Sequence, residues 1–282
     1  MQNNIIISNQ KNLERTIELI SRDGAKNLHI LSDFDKTLTK AFIEWQEVHS
    51  IIAQIREGNY LTPDYSSRAH ALFDKYHPIE IDSKTPLKEK KKAMHEWWDT
   101  HFKLLAECGL DKKVMGEIVR KRKLRFREGA LEFIDLLHQH NIPLVIMSAA
   151  PGDMLRMYLE QEKRLYNNIY IVANLFEFGK NGKVIRVKEP IIHSMNKDET
   201  ALQNFPVFEV IKERRNVILL GDSLGDVGMI EGFDYSSLLK IGFLNENAKS
   251  NLGSYRRTYD VVILNDSDMN YVNELMMKII GQ

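Results

Sequence analysis

The sequence predicts an α/β protein built on a doubly wound parallel sheet, with a helical unit inserted into it. The first observation is a series of short apolar runs rich in Ile, Val and Leu, separated by segments with helical periodicity. That alternation is typical of a parallel sheet covered by helices on both faces. The predicted strands are residues 28–32, 143–148, 169–173, 216–220, 239–243 and 261–264.

The second observation is a break in this alternation between about residues 41 and 123, which holds no convincing strand. Charged, amphipathic segments there suit helices over residues 42–57, 66–76, 86–108 and 112–121, with loops at 58–60, Thr62-Pro63 and His77-Pro78. We therefore predict a core of residues 1–40 and 124–282 and a helical cap of residues 41–123. After the third strand, residues 175–178 and 183–187 flank a glycine-bearing turn and predict a β-hairpin.

The net charge of the protein argues against two classes of partner, nucleic acid and anionic membranes. Lys+Arg and Asp+Glu both number 39, so the formal net charge is zero and the protein offers neither of them bulk attraction. The basic runs at residues 88–92 and 120–127 lack the aromatic-basic motifs that stack bases. We interpret them as solvated helix faces, with a local phosphate or partner contact as the alternative.

The remaining composition predicts a cytoplasmic protein. The single cysteine, Cys108, excludes an intrachain disulfide framework and a thiolate metal cage, and we expect it to be a small buried side chain. The N-terminus lacks the basic start and apolar core of a signal peptide, and no run of 18 apolar residues is present to span a bilayer.

The first chemical signal is a pair of acids, Asp33 and Asp35, directly after the first predicted strand. Residues separated by one position can point the same way, so both carboxylates can face one site. Paired carboxylates need a cation or a shared proton, and Mg²⁺ prefers such oxygen ligands. A turn at Asp35-Lys36, with Asp33 as a helix cap, is the alternative for this segment alone.

A second pair of acids, Asp222 and Asp226, follows the fourth predicted strand. Two strands that end in acids favour an oxygen-ligand cage, because the carboxyl ends of parallel strands form the ligand crevice of such sheets. The second strand ends at Ser148-Ala149, which offers a hydroxyl and backbone N–H groups for phosphate oxygens. Lys197, taken in isolation, is typical of a surface lysine.

In this order, the pieces resemble the motifs of the haloacid dehalogenase (HAD) superfamily. Those motifs are an Asp-x-Asp-x-Thr strand end, a strand ending in Ser or Thr, a lysine, and a Gly-Asp-x-x-x-Asp strand end. They correspond here to residues 33–37, Ser148, Lys197 and residues 221–226. Acids at both Asp33 and Asp35 match the phosphatases of that superfamily, since its dehalogenases lack the second Asp.

A closer resemblance, from about residue 28 to the C-terminus, is to the cytosolic pyrimidine 5′-nucleotidases of type III. It is carried by residues 33–39, 76–82 (YHPIEID), 96–98 (EWW), 148–153, 193–198 (HSMNKD) and 217–226 (VILLGDSLGD). It implies a HAD-like Rossmannoid sheet of strand order 3-2-1-4-5 with the cap inserted after the first motif. It also implies nucleoside monophosphate substrates, which in that family are pyrimidine nucleotides and, in some members, 7-methylguanosine monophosphate.

By this resemblance, Asp33 is the nucleophile and Asp35 the general acid and base. Asp33, the backbone carbonyl of Asp35 and Asp222 would surround Mg²⁺, with Asp226 supporting the metal site. The implied reaction is hydrolysis of the phosphomonoester through an aspartyl-phosphate.

The same resemblance makes Ser148, the Ala149 backbone and Lys197 the phosphate-binding groups, and Glu96 the cap acid that contacts the base. The chain departs from the family pattern at Ala150-Pro151 in the phosphate loop, and Pro151 has no amide N–H. The segment at residues 173–178 also keeps only part of the family pattern.

Two other functions fit parts of the sequence. One is a HAD phosphatase acting on another small phosphomonoester, such as a sugar phosphate or phosphoserine. The other is a non-catalytic relative that binds a nucleotide, although a pure binder has no need of a nucleophile at Asp33. The sequence makes no prediction of the oligomeric state.

Overall fold

A computed structural model of the chain describes residues 4–82, 84–197, 202 and 205–281. Its strands are β1 Ile5–Ile7, β2 Leu28–Ser32, β3 Phe42–Ile43, β4 Gln46–Glu47, β5 Leu144–Pro151, β6 Ile169–Asn174, β7 Phe176–Phe178, β8 Val184–Val187, β9 Asn216–Gly221, β10 Ser237–Leu244 and β11 Val261–Leu264. Among the described residues, seven strands form the central sheet, in the order β6-β5-β2-β9-β10-β11-β1. Every neighbouring pair is parallel except β1 with β11. The predicted order 3-2-1-4-5 is confirmed, and β11 and the antiparallel β1 extend it.

Helices pack on this sheet, and four of the described helices lie within residues 41–123, the stretch called the insertion below. The helices are α1 Gln10–Asp23, α2 Ile51–Glu57, α3 Tyr65–Ile81, α4 Leu87–Glu107, α5 Lys112–Arg120, α6 Ala130–Gln139, α7 Gly152–Gln161, α8 Phe208–Ile211, α9 Ala248–Thr258 and α10 Asn270–Ile280. In the part of the chain that the structure describes, no helix is both long and apolar enough to cross a membrane.

The central strands are buried on both faces. In β9, Ile218 and Leu220 belong to one buried apolar cluster, whereas Val217 and Leu219 belong to a second. Because successive side chains of a strand point to opposite faces, the two clusters are the cores on either side of the sheet. The continuous apolar runs of the sequence therefore match strands covered on both sides.

The insertion begins differently from the prediction of one helix over residues 42–57. Residues 42–47 form the two-stranded hairpin β3–β4, and α2 starts only at Ile51, capped by the Ser50 side chain. The Asp266 carboxylate accepts hydrogen bonds from the backbone N–H groups of Ala41 and Phe42, at 2.9 and 3.0 Å. These long-range bonds hold the chain extended where local periodicity favoured a helix.

Pro78 was predicted to lie in a loop, but it lies inside α3. On the turn before it, Tyr76 is buried and stacks on Trp97 of α4, with ring centroids 6.0 Å apart. Packing between the two helices therefore outweighs the local cost of a proline, as tertiary context often does.

Arg127 contradicts the interpretation of residues 120–127 as a solvated helix face. Helix α5 ends at Arg120, and the Arg127 side chain is fully buried in an ion pair with Asp266, 2.9 Å between Nη1 and Oδ1. The guanidinium also donates to the carbonyls of Lys36 and Thr37, at 2.5 and 2.9 Å. A buried arginine persists only when its donors are satisfied, and here they hold the turn that follows β2.

The predicted hairpin after the third strand is present as β7–β8 and packs against the inserted helices. Phe176 makes an edge-to-face contact with Phe102 of α4, with ring centroids 5.5 Å apart. The Val184 N–H donates to the carbonyl of Leu110 at 2.9 Å. Cys108 is buried close by, as the sequence predicted.

Candidate active site

The first acidic pair lies where β2 ends, at the carboxyl edge of the sheet. Asp33 is buried, and its backbone N–H donates to the Leu220 carbonyl of β9 at 3.0 Å. Asp35 is partly buried, and its Oδ1 accepts a hydrogen bond from the Ile51 N–H at 3.3 Å. Ile51 opens α2, so Asp35 connects the end of the first strand to the first helix of the insertion.

The second acidic pair lies beside the first. Single carboxylate oxygens of Asp33, Asp222 and Asp226 all lie within 4.8 Å of one another. Asp226 is buried, and its Oδ2 accepts hydrogen bonds from the N–H groups of Asp222 and Ser223, at 3.1 and 2.9 Å. The carboxylate of Asp226 therefore shapes the loop that presents Asp222.

Lys197 completes this group from a distant part of the sequence. Its Nζ lies 2.5 Å from Oδ1 of Asp33 and 3.6 Å from Oδ1 of Asp226, and only 11% of its side chain is exposed. The residue that looked like a surface lysine in isolation is thus buried against two carboxylates. Asp198, the next residue of the motif, lies outside the described residues.

Burial and neighbouring charges shift the pKa values of Asp33, Asp222 and Lys197. Burial raises the pKa of Asp33 to about 7, although the Lys197 ammonium opposes the shift. Burial and the neighbouring Asp226 raise the pKa of Asp222 well above its usual range. Burial acts against the charge of Lys197, but the carboxylates of Asp33 and Asp226 raise its pKa above the ordinary value. The site therefore holds an excess of negative charge that favours a further cation.

Asp35 has a different environment from the other acids. Burial raises the pKa of its carboxyl group to about 6, and the hydrogen bond from the Ile51 N–H opposes this. A carboxyl group with a pKa near neutrality can both give and take a proton at physiological pH. Its ionisation therefore suits acid–base chemistry.

Ser148 and Ala149 lie at the same edge of the sheet, on β5 next to β2. Ser32 pairs with Ile146, so Ser148 follows just beyond the end of β2. Ser148 is buried, and its Oγ accepts a hydrogen bond from the Ala150 N–H at 3.1 Å. The strand runs on to Pro151 rather than ending at Ser148, with an irregular register over its last residues.

Glu96 lies on α4, in the insertion. Its Oε1 accepts a hydrogen bond from the Tyr76 hydroxyl at 2.5 Å and lies 3.4 Å from Nζ of Lys75. Its side chain is 55% exposed. The next residue, Trp97, is buried against Tyr76, so the acid projects from an aromatic cluster of the inserted helices.

The sequence analysis missed the connection between that cluster and the segment that carries Lys197. The Ser194 hydroxyl donates to Oε1 of Glu80, on α3, at 2.5 Å, and Met195 packs against the cluster around Tyr76 and Trp97. Both partners stand in segments that carried the family resemblance, at residues 76–82 and 193–198. That shared membership was the signal that could have revealed the pair.

Comparisons of the sequence with known proteins show the family to which it is related. The family model described as pyrimidine 5′-nucleotidase (UMPH-1) matches residues 36–280. The 7-methylguanosine phosphate-specific 5′-nucleotidase of Mus musculus is 32% identical over 283 residues, which cover all of this chain and 94% of that protein. The protein of the same name from Gallus gallus is 33% identical over 265 residues, covering 94% of this chain and 92% of that protein.

Solved structures show the same relationship. The crystal structure of cytosolic 5′-nucleotidase IIIB bound to cytidine superposes with a TM-score of 0.90 at 30% identity, covering 99% of this chain and 94% of that one. A HAD family hydrolase from Salmonella enterica serovar Typhi, with a TM-score of 0.53 and 16% identity over 90% of this chain and 71% of that one, shares the fold alone. The predicted HAD-like core and the predicted resemblance are both confirmed, and the chain belongs to the pyrimidine 5′-nucleotidase (UMPH-1) family of phosphoric monoester hydrolases.

Proposed function

We propose that this protein is a Mg²⁺-dependent 5′-nucleotidase that hydrolyses nucleoside monophosphates through an aspartyl-phosphate on Asp33. The observation that carries the proposal is the buried Asp33 carboxylate, 2.5 Å from the Lys197 ammonium and grouped with Asp222 and Asp226. A buried acid at a strand end, with a cation beside it, can attack a phosphoryl group whose charge that cation offsets.

In the first step, an Asp33 carboxylate oxygen attacks phosphorus in line with the leaving group. The bond from phosphorus to the 5′-oxygen breaks as the bond to Asp33 forms, and Asp35 gives its proton to the departing oxygen. In the second step, Asp35 takes a proton from water, which attacks phosphorus and displaces Asp33. Phosphate leaves, and both acids return to their starting state.

The donor set fits a hard divalent cation. Three carboxylates face one ammonium, and the cluster of Asp33, Asp222 and Asp226 holds neither His nor Cys, which favours Mg²⁺ over Zn²⁺. Asp33, the Asp35 carbonyl and Asp222 would hold the ion, with Asp226 supporting them. Bound there, Mg²⁺ would neutralise part of the charge of the transferring phosphoryl group.

The phosphate would lie between Lys197, the Ser148 hydroxyl and the backbone N–H of Ala149. These groups lie on or beside the carboxyl edge formed by β2 and β5. Pro151 stands before Gly152, the first residue of α7, so its missing N–H falls outside the proposed contacts of the phosphate.

The inserted residues 41–123 would act as the cap that recognises the nucleoside, with Glu96 contacting the base. The relatives support a nucleoside substrate, since their names specify 7-methylguanosine phosphate and one solved neighbour holds cytidine. The Glu96 carboxylate is partly exposed beside an aromatic cluster, which suits hydrogen bonding to a stacked base. We place the activity in the cytosol, because that neighbour is named a cytosolic enzyme.

The test is phosphate release from a panel of nucleoside monophosphates, including CMP, UMP and 7-methylguanosine monophosphate. We expect release in Mg²⁺, loss on chelation, and loss in Asp33→Asn, which keeps the side-chain shape but removes the nucleophilic carboxylate. An Asp33→Asn protein that keeps a tenth of the wild-type turnover would contradict the covalent mechanism. Faster phosphate release from phosphoserine or a sugar phosphate than from any nucleotide would show that nucleotides are not the substrate class.

A further inference from the structure

In the loop at Asp222 and Ser223, the backbone N–H and carbonyl groups of both residues are hydrogen-bonded to side chains. The N–H groups of Asp222 and Ser223 both donate to Oδ2 of Asp226, at 3.1 and 2.9 Å. Their carbonyls each accept a hydrogen bond from a tyrosine hydroxyl, Tyr255 onto Asp222 and Tyr259 onto Ser223. Asp226 therefore binds the two amide groups of this loop, and the two tyrosines bind its two carbonyl groups.

Both tyrosines are built into the core rather than placed on the surface. Tyr255 lies on α9 and Tyr259 directly follows that helix, with relative exposures of 8% and 2%. Their rings stack, with centroids 5.6 Å apart and an interplanar angle of 29°. A phenol is protonated at neutral pH, so both hydroxyls act as donors to these carbonyls.

Two glycines make room for this arrangement. A Cβ at Gly242, on β10, would lie 2.5 Å from the Tyr259 ring, and a Cβ at Gly221 would lie 2.4 Å from Cβ of Asp226. Neither distance is possible for a real side chain, so only glycine at these positions allows the tyrosine and the acid to approach. The close packing of Tyr259 on Gly242 and of Asp226 on Gly221 therefore depends on glycine at both positions.

We propose that Tyr255 and Tyr259 are positioning residues for the Mg²⁺ ligand Asp222. By holding two consecutive carbonyls, they fix the backbone from which the Asp222 carboxylate extends toward Asp33. A ligand held in place before the ion arrives loses less conformational freedom on binding, so Mg²⁺ binds more tightly. This inference rests on the proposed function, because that function makes Asp222 a metal ligand.

The test compares wild type with Tyr255→Phe, Tyr259→Phe and the double variant, each of which keeps the ring and removes only the hydroxyl. Mg²⁺ binding is measured by isothermal titration calorimetry on the protein without nucleotide, and Mg²⁺ activation by phosphate release. Loss of groups that orient a metal ligand typically weakens metal binding about 10- to 100-fold. We expect the double variant to need at least about tenfold more Mg²⁺, with kcat at saturating Mg²⁺ changed by less than about threefold.

Tyr65→Phe is the matched control. Tyr65 is as buried as Tyr259, at 2% exposure, and its hydroxyl is hydrogen-bonded to His101 in the insertion, 3.0 Å away. The Tyr65→Phe variant should lower the unfolding temperature by about as much as Tyr255→Phe or Tyr259→Phe does. It should leave the Mg²⁺ affinity unchanged.

A double variant that binds Mg²⁺ within twofold of wild type would overturn the inference. So would an equal loss of Mg²⁺ affinity in Tyr65→Phe, which would indicate general destabilisation. Calorimetry separates this from a failure of the proposed function, since wild type that binds Mg²⁺ yet hydrolyses no nucleotide would contradict that function alone.

Discussion

Replacing Lys197 by Met tests whether burial gives the ion pair with Asp33 its importance. The pair is 2.5 Å long, and its side chains are only 11% and 7% exposed. Removal of one partner of a buried pair typically costs about 3–5 kcal/mol, because the other charge stays buried without compensation. Loss of one preorganised donor to a transferring group typically lowers kcat about 10²- to 10³-fold. We therefore expect Lys197→Met to lose at least about a hundredfold in kcat and to unfold at lower temperature without Mg²⁺.

Lys212 provides the matched control. Its Nζ lies 2.5 Å from Oε2 of Glu209, the same separation, but the two side chains are 41% and 70% exposed. Solvent screens exposed pairs, so Lys212→Met should change stability little and leave kcat unchanged. The measurements are steady-state kinetics of nucleotide hydrolysis and thermal unfolding with and without Mg²⁺.

Two results would refute this reasoning. Equal effects of Lys197→Met and Lys212→Met would show that pair distance, rather than burial, decides the cost. A Lys197→Met enzyme with kcat within tenfold of wild type would remove Lys197 from the proposed phosphate contacts.

Three further predictions follow from the acids and histidines. Asp35→Asn should lose roughly a hundredfold or more in kcat, because it removes a proton donor and acceptor, and a phosphate burst before slow turnover would show that water activation is the larger loss. Glu96→Gln should lower kcat/KM about 10- to 100-fold for nucleotides, as expected for a lost hydrogen bond to a charged group, and far less for p-nitrophenyl phosphate; equal losses on both would indicate a structural role. Burial lowers the pKa of His29 and of His101 to about 4, below the unfolded value, so the unfolded chain takes up more protons as the pH falls from about 6.5 toward 4. Each histidine should therefore reduce the free energy of unfolding by about 2 kcal/mol between pH 7 and pH 5. The raised pKa values of Asp33 and Asp35 act in the opposite sense over this range, so the effect is measured by urea unfolding as the difference between wild type and His29→Gln or His101→Gln. A variant with the same pH dependence as wild type would contradict burial of that histidine as a neutral side chain.

The sequence by itself determined the features that depend on neighbouring residues. The apolar runs predicted the strands, because a strand buried on both faces needs a continuous apolar segment. The acids that follow two of those runs had to lie at one edge, since parallel strands end on the same side of the sheet. Asp33 and Asp222 were therefore predictable as partners, and their carboxylates do converge.

Only the tertiary structure decided the contacts between distant segments. Asp33 and Lys197 lie 164 positions apart in the sequence, and Asp222 and Tyr255 lie 33 apart. No local periodicity encodes such pairs, because side-chain patterns report which face is buried and not which partner covers it.

The same physical reason explains the errors in the insertion and in the basic run. A helix over residues 42–57, a loop at Pro78 and an exposed Arg127 all followed from local preference. Asp266 holds the N–H groups of Ala41 and Phe42, Trp97 packs against the turn before Pro78, and Asp266 also pairs with Arg127. Burial and hydrogen bonding from remote residues outweigh local propensities, which are about 1 kcal/mol for most residues and about 3 kcal/mol for a proline inside a helix. These features therefore formed only once the fold brought the partners together.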